Sequence, residues 1–378
     1  MSNNSKVRII SYQNAQNYGA VLQAFGLQQV IKSLGFEDVI FINYCPKYLK
    51  DRYVVFPAKW YLPPQRGIIN ILKYYISMPI SMVCRWVRNR AINKSRKLLI
   101  TQSEQQYRCF EDFVNVPCEY LILGSDQIWS TWITGMPDPV FYGKGDYKGL
   151  KRIISYAPSS EMSTFNNQEY ISVIEEYLKG IDCISVREKS VSKLLNEKLG
   201  IGSKVCVDPT ILSGKAFFDQ IAAKRKVNKN YILVYSYKCH SDFIQSLIKT
   251  VPEYEKYEIH YIGFAPSGVR DIFNKKCHNE ISVEEFVSFF KYASYIVTNS
   301  YHGLAFSLLF NQKFIVAYEE GKSTRCESLL LQIDASDKLV HQTSEVNWDN
   351  FDFEHINERL EILRNDSKQF LINSLFEI

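Results

Sequence analysis

Between Arg52 and Ser103 the chain has no aspartate or glutamate, although 40 acidic residues are spread over its 378 positions. That stretch holds ten cations: Arg52, Lys59, Arg66, Lys73, Arg85, Arg88, Arg90, Lys94, Arg96 and Lys97. Elsewhere 35 of the 45 lysines and arginines face all 40 acids, so the overall charge of +5 is a basic segment on a body of −5. A balance this mild excludes the strongly basic class that binds nucleic acid through its whole surface. Long apolar runs are also missing. The longest, residues 68–84, is broken by Asn70, Lys73 and Pro79, and falls short of the roughly 20 apolar residues of a bilayer span. No apolar core follows the polar residues 1–6, which argues against a secretory leader. The nine cysteines form no C-x-x-C pair and are odd in number, so a reduced, cytoplasmic protein is expected. Cys239-His240 and Cys277-His278 each offer adjacent residues that point apart rather than a chelating turn, and no metal is expected. A P-loop and a strand-led G-x-G-x-x-G are absent, which removes support for nucleotide hydrolysis and dinucleotide redox chemistry.

What is present is an alternating α/β grammar. Residues 7–12 read as a strand, 13–18 as a polar loop, 19–34 as a helix with apolar residues at helical spacing and 39–42 as a second strand. This βαβ opening implies a parallel sheet. Further strands are predicted at 120–123, 152–156, 183–186 and 205–207, with helices at 168–179 and 189–198. A second set follows, with strands at 231–235, 260–263, 295–297 and 313–317 and helices at 241–250, 283–292 and 303–310. The simplest parse is an N-terminal α/β lobe over 1–214 and a C-terminal lobe over 215–378, closed by a polar helix at 353–375.

Ligands in open parallel sheets bind beyond the carboxyl ends of the strands, near helix N-termini. Polar strand-to-helix turns are therefore the candidate sites. Thr298-Asn299-Ser300-Tyr301-His302-Gly303 places a histidine beside a helix start, with Gly303 allowing close backbone approach to a ligand. His302 there is either a proton donor or a capping residue. Arg187 ends the strand 183–186, and Arg325 opens a helix in Gly321-Lys322-Ser323-Thr324-Arg325. A guanidinium in such a place suits a carboxylate or phosphate, while a salt bridge from Arg187 to Glu188 is the alternative. Together they suggest a small, multiply charged anion. Gly124-Ser125-Asp126-Gln127-Ile128-Trp129 sets a carboxylate beside an aromatic, as sugar sites do, or else caps a helix. Asp208, in Val207-Asp208-Pro209-Thr210, reads as a structural turn residue, and Asn17-Tyr18-Gly19 opens the first helix.

In their order, Asn17-Tyr18-Gly19-Ala20-Val21-Leu22-Gln23, Gly124-Ser125-Asp126-Gln127-Ile128-Trp129, Ser155-Tyr156-Ala157, Ser185-Val186-Arg187-Glu188, Val207-Asp208-Pro209-Thr210 and Ser300-Tyr301-His302-Gly303 resemble the polysaccharide pyruvyl transferase family. The resemblance implies two Rossmann-like lobes with parallel sheets in a glycosyltransferase-B-like arrangement, with the active site in the interlobe cleft. It implies phosphoenolpyruvate as a substrate rather than a cofactor, and a sugar of a bacterial surface-polysaccharide precursor, lipid-linked, as acceptor. The product is a pyruvate ketal. On that reading His302 is the general acid or protonates the leaving phosphate, and Asp126 contacts or deprotonates an acceptor hydroxyl. Arg187, Arg325, Ser300, Gly303 and Lys322 bind the donor, and Asn17, Tyr18, Gly19 and Trp129 line the acceptor side. Many relatives carry an arginine two residues before the histidine, where this chain has Ser300. That contact would fall to Arg325, Lys322 or a backbone amide.

Two other readings share the architecture, because fold does not fix function. One is a glycosyltransferase using a nucleotide sugar, with Glu319 or Glu320 on the ribose. The other is a non-catalytic saccharide-binding protein. The basic segment mixes its cations with Trp60, Tyr61, Tyr74, Tyr75 and Trp86. This composition fits helices lying on an anionic membrane surface, and equally a solvated helix pair packed on the first lobe.

Overall fold

A computed structural model describes residues 4–53, 68–263, 274–278, 280–321 and 323–376, side chains within 68–77 and at 80 excepted. Lys59, Arg66, Trp60, Tyr61 and Lys322 lie outside the described residues, as do the side chains of Lys73, Tyr74 and Tyr75.

Two parallel sheets organise the chain. The first contains β1 (Val7–Ile10), β2 (Val39–Tyr44), β3 (Gln102–Tyr107), β4 (Tyr120–Leu123), β5 (Arg152–Ser155), β6 (Cys183–Val186) and β7 (Lys204–Val205), in the order β3-β2-β1-β4-β5-β6-β7. The second contains β8 (Tyr231–Ser236), β9 (Glu258–Gly263), β10 (Tyr295–Thr298), β11 (Lys313–Ala317) and β12 (Leu339–Val340), in the order β9-β8-β10-β11-β12. Both orders reverse direction once, between β1 and β4 and between β8 and β10. Such reversals open the crevices where doubly wound sheets hold ligands. The two lobes are therefore Rossmann-like, as the alternating pattern predicts. β3, with the sequence Gln102-Ser103-Glu104-Gln105-Gln106-Tyr107, carries no apolar alternation and was not expected. As an edge strand it needs one paired neighbour and little burial.

Side-chain alternation sorts each sheet into two faces. Val7 and Ile9 share one apolar core with Tyr231, Leu233 and Tyr235 of the other lobe. Ile10, Leu121 and Leu123 face an outer layer of the first lobe, and Ile232, Val234 and Val297 an outer layer of the second. The shared middle layer holds α1 (Tyr18–Ser33) and α6 (Tyr301–Leu309), which are buried along nearly their whole length. Their all-round apolarity follows from packing on their own lobe's sheet on one side and on neighbouring helices on the other.

Other helices tie the lobes together. α2 (Lys47–Arg52) follows β2, and α3 (Ile68–Leu99) is a 32-residue helix carrying most of the basic segment. Ser95 of α3 donates to Glu284 at 2.6 Å and accepts from the Val283 N–H, both in α5 (Val283–Lys291) of the second lobe. α8 (Phe353–Phe376) begins against the second lobe, where Phe351 meets Phe314 and Phe353. It then runs back along the first. Arg364 donates to the Ile211 carbonyl, Ser367 accepts from the Val207 N–H, and Arg152 donates to the Ser374 carbonyl.

The Cys-His doublets do not form a chelate. Among the described residues no group of three His, Cys, Asp or Glu is placed to hold a metal ion. His278 instead stacks on His260, with ring centroids 5.0 Å apart and Nε2 2.7 Å from His260 Nδ1, and it packs on Phe289. Burial lowers the proton affinity of both rings, bringing His278 down to about 4. Because the unfolded imidazole titrates near 6.5, acidification loads protons onto the unfolded chain first. Stability should therefore fall by about 2 kcal/mol between pH 7 and pH 5 on account of His278. Urea midpoints measured at the two pH values check this. His278→Phe should remove most of the decline, and an unchanged slope would assign it to other groups.

Candidate active site

The carboxyl ends of both sheets meet at one cluster of charge. Beyond β6, Arg187 is 4% exposed. Its Nη2 lies 2.6 Å from Asp208 Oδ2, a charge contact, and donates to Ser125 Oγ at 2.6 Å. The same guanidinium lies 4.9 Å from the ring centroid of Tyr301, at the start of α6 in the other lobe. His302, the next residue, is 7% exposed, and its Nε2 is 3.9 Å from Asp208 Oδ2. Asp208 is fully buried and caps α4 (Pro209–Ser213), its Oδ1 accepting from the Thr210 N–H and hydroxyl.

Asp208 is thus the hub of the site, where its turn sequence suggested a structural residue. Arg187 pairs with it and not with the adjacent Glu188, whose Oε1 accepts from Ser159 Oγ at 2.6 Å. The charges are mutually held. Burial opposes ionisation of Asp208, but Arg187 and His302 outweigh it and keep the carboxyl below its usual range. Burial likewise works against the Arg187 charge and is overcome by Asp208, so the guanidinium stays protonated. At His302 burial dominates, and the imidazole sits below its ordinary value despite Asp208 and Asp126. It is neutral near pH 7. Glu188 is raised by burial.

Several buried polar atoms have no hydrogen-bond partner among the described residues: Arg187 Nε and Nη1, and His302 Nε2, whose nearest charge is Asp208 at 3.9 Å. A buried guanidinium with two unsatisfied donors is costly. It is explained if a ligand completes it. Arg325, at the start of α7 (Thr324–Gln332), is half-buried, and its field reaches both His302 and Glu188. No hydrogen bond or ion pair engages its guanidinium among the described residues. Arg187 of the first lobe and His302 of the second therefore lie buried around the same carboxylate, within the field of Arg325.

Glycines shape that spot in two different ways. A Cβ built on Gly19 would lie 2.2 Å from His302 Nδ1, so the imidazole rests where α1 has no side chain. Gly303 makes room inside its own turn. Its missing Cβ makes room for Thr298 Oγ1 at 2.1 Å; that hydroxyl donates to the Tyr235 carbonyl and accepts from the Ser300 N–H. Gly303 and the 3%-exposed Ser300 thus set the turn that aims His302.

The acceptor-side expectations divide. Asp126 is partly exposed at the carboxyl end of β4, where its Oδ1 accepts from the Gln127 N–H. Trp129 is corrected: it is 1% exposed, stacked on Tyr142 at 5.2 Å, and donates to the Phe141 carbonyl. It fills the outer core of the first lobe and offers no face to a sugar. Tyr18 is also corrected. It stacks on Phe286 at 4.7 Å and donates to the Ile281 carbonyl, which makes it an interlobe anchor; burial pushes its hydroxyl up to about 12. Asn17 caps α1, accepting from the Gly19 and Ala20 N–H groups. Sequence reasoning missed Ser125 as a ligand of Arg187. It also missed Tyr12, whose buried hydroxyl has no partner among the described residues and lies in the field of Asp126.

Two Rossmann-like lobes with parallel sheets define a GT-B-like fold. The sequence profile of the polysaccharide pyruvyl transferase family matches residues 17–319, and the chain belongs to that family. No curated protein matches. Among solved structures, the S. aureus MnaA-UDP co-structure is similar at 14% identity and TM-score 0.46, over 97% of this chain and 91% of that one. A trehalose-6-phosphate synthase, OtsA, is similar at 10% identity and TM-score 0.49, over 99% of each chain. The UDP-GlcNAc 2-epimerase of Methanocaldococcus jannaschii is similar at 11% identity and TM-score 0.45, over 99% of this chain and 100% of that one.

Proposed function

We propose that the protein transfers the pyruvyl group of phosphoenolpyruvate onto two hydroxyls of one sugar in a bacterial surface-polysaccharide precursor, forming a cyclic ketal and releasing phosphate. The observation that carries this reading is the buried Arg187, with two guanidinium nitrogens that have no hydrogen-bond partner, sharing Asp208 with a His302 Nε2 that has none either. With Nη2 engaged by Asp208 and Ser125, Nε and Nη1 lie on different edges of the guanidinium and each offers one charged donor to an anionic oxygen, and phosphoenolpyruvate carries both a carboxylate and a phosphate. Arg325 would take the second anionic group, which compensates for Ser300 standing where relatives have arginine.

The chemistry then runs in two additions. A proton goes to the methylene carbon of the donor while a sugar hydroxyl oxygen bonds to its central carbon. The C–O bond to phosphate breaks, and the second hydroxyl closes the ring. Overall the first hydroxyl's proton ends on the new methyl group and the second leaves on phosphate. His302, neutral in the free cleft, is protonated once the multiply negative donor arrives, and it delivers the carbon proton. Asp126 receives the proton of the attacking hydroxyl. Arg187 and Arg325 hold the charge that develops on phosphate.

The nucleotide-sugar alternative has less support. Glu319, the acid it would place on a ribose, is already engaged by Asn299 Nδ2 at 2.8 Å and Lys238 Nζ at 3.5 Å. Incubation with phosphoenolpyruvate labelled in its three carbons and a lipid-linked galactoside tests the reaction. One phosphate released per acid-labile label transferred is expected. Turnover of a UDP-sugar, with no label transferred, would overturn the proposal.

A further inference from the structure

α3 presents two very different faces. Inward, Arg88 is 5% exposed, lies 5.0 Å from the Tyr18 ring centroid and donates to the Gly263 carbonyl of the second lobe. Ile92 is fully buried, and Ser95 bonds Glu284. Outward, Pro79, Val83, Trp86, Arg90, Lys94 and Lys97 are exposed at spacings of three and four residues, which makes a single stripe. The stripe is graded. Its first half is apolar, with Val83 59% and Trp86 52% exposed, and its second half is cationic. Arg90 covers the Trp86 ring at 5.5 Å and joins the halves. Trp132, 69% exposed beneath the Arg52 guanidinium at 4.6 Å, is linked to the same helix through Tyr53, whose carbonyl accepts from Asn89.

We propose that this outward face of α3 docks the protein on an anionic bilayer surface. Val83 and Trp86 enter the headgroup boundary, and Arg90, Lys94 and Lys97 meet lipid phosphates. Charge complementarity selects the occupant. The exposed cations Arg90, Lys94 and Lys97 lie in a segment with no acidic residue, on a chain whose remainder carries −5, so the stripe attracts anions without a neighbouring acid on its own helix. An exposed tryptophan beside cations suits an interface with an apolar layer beneath charged groups, which a nucleic acid does not offer. No described helix is long and apolar enough to cross a membrane, so the contact is peripheral. Because the inner face of α3 touches both lobes, docking would set the cleft beside the surface where a lipid-linked acceptor lies. Docking itself does not depend on which donor the cleft binds.

Co-sedimentation of the full chain with vesicles of phosphatidylcholine, with and without phosphatidylglycerol, tests it without any turnover. Binding to the anionic vesicles alone is expected, weakening as salt is raised. The triple variant Arg90→Gln, Lys94→Gln, Lys97→Gln should lose about a hundredfold in partitioning, at about fivefold per cation. Trp86→Ser should lose about tenfold and its fluorescence shift with it. Arg88 is left intact because it is built into the interlobe contact. Melting temperatures near that of the parent chain would show that the fold survives. Equal binding to neutral vesicles, partitioning unchanged by the triple variant, or tight binding of duplex nucleic acid with none to vesicles would each overturn the proposal.

Discussion

Alanine at position 19 should silence the transferase almost as completely as alanine at position 302. The added Cβ would sit 2.2 Å from Nδ1, 2.4 Å from Cγ and 2.6 Å from Cε1 of His302, distances no packed methyl group tolerates. The helix cannot yield, since Asn17 caps it and Tyr18 is locked against Phe286. The imidazole must leave its place instead. If His302 is the proton donor, Gly19→Ala and His302→Ala should each lower kcat by about 10²- to 10⁴-fold. The double variant should be no worse than either single one, because one function cannot be lost twice. Phosphate-release kinetics on the three proteins, with melting curves to show that each is folded, give the answer. Additive losses would separate the glycine from the histidine and reduce the contact to packing.

The second large effect concerns the Arg187–Asp208 pair. Arg187→Ala leaves the Asp208 carboxylate buried without its counter-charge, and should cost about 3–5 kcal/mol of folding stability. Activity should vanish as well, because the unpartnered Nε and Nη1 go with it. Stability and function can be pulled apart. Asp208→Asn keeps an acceptor for the Thr210 donors that cap α4, and combined with Arg187→Met it removes both charges at near-constant volume. The pair variant should recover most of the lost stability in urea titrations and none of the phosphate release. Recovery of both would make the arginine a structural counter-ion only.

Much of this arrangement was legible from residues near one another in the chain. Strand-loop-helix units are local patterns, and so is the rule that polar turns at the strand ends face the ligand; Arg187, His302 and Arg325 were found by it. What was hidden depended on distant contacts. Asp208 looked like a turn residue because its partner Arg187 lies on a neighbouring strand end and His302 in the other lobe. Gly19 appeared to serve a ligand, yet its empty side-chain position is filled by His302. Trp129 next to an acidic turn resembles a sugar platform, but Tyr142 takes its ring face. The polar edge strand β3 carried no periodic signal at all.

If phosphoenolpyruvate binds between Arg187, His302 and Arg325, a crystal of the protein soaked with that compound should show it there. A carboxylate or phosphate oxygen is expected within hydrogen-bonding distance of Arg187 Nε or Nη1, with the methylene carbon facing His302 Nε2. A donor found elsewhere, with both arginine nitrogens still unpartnered, would contradict it.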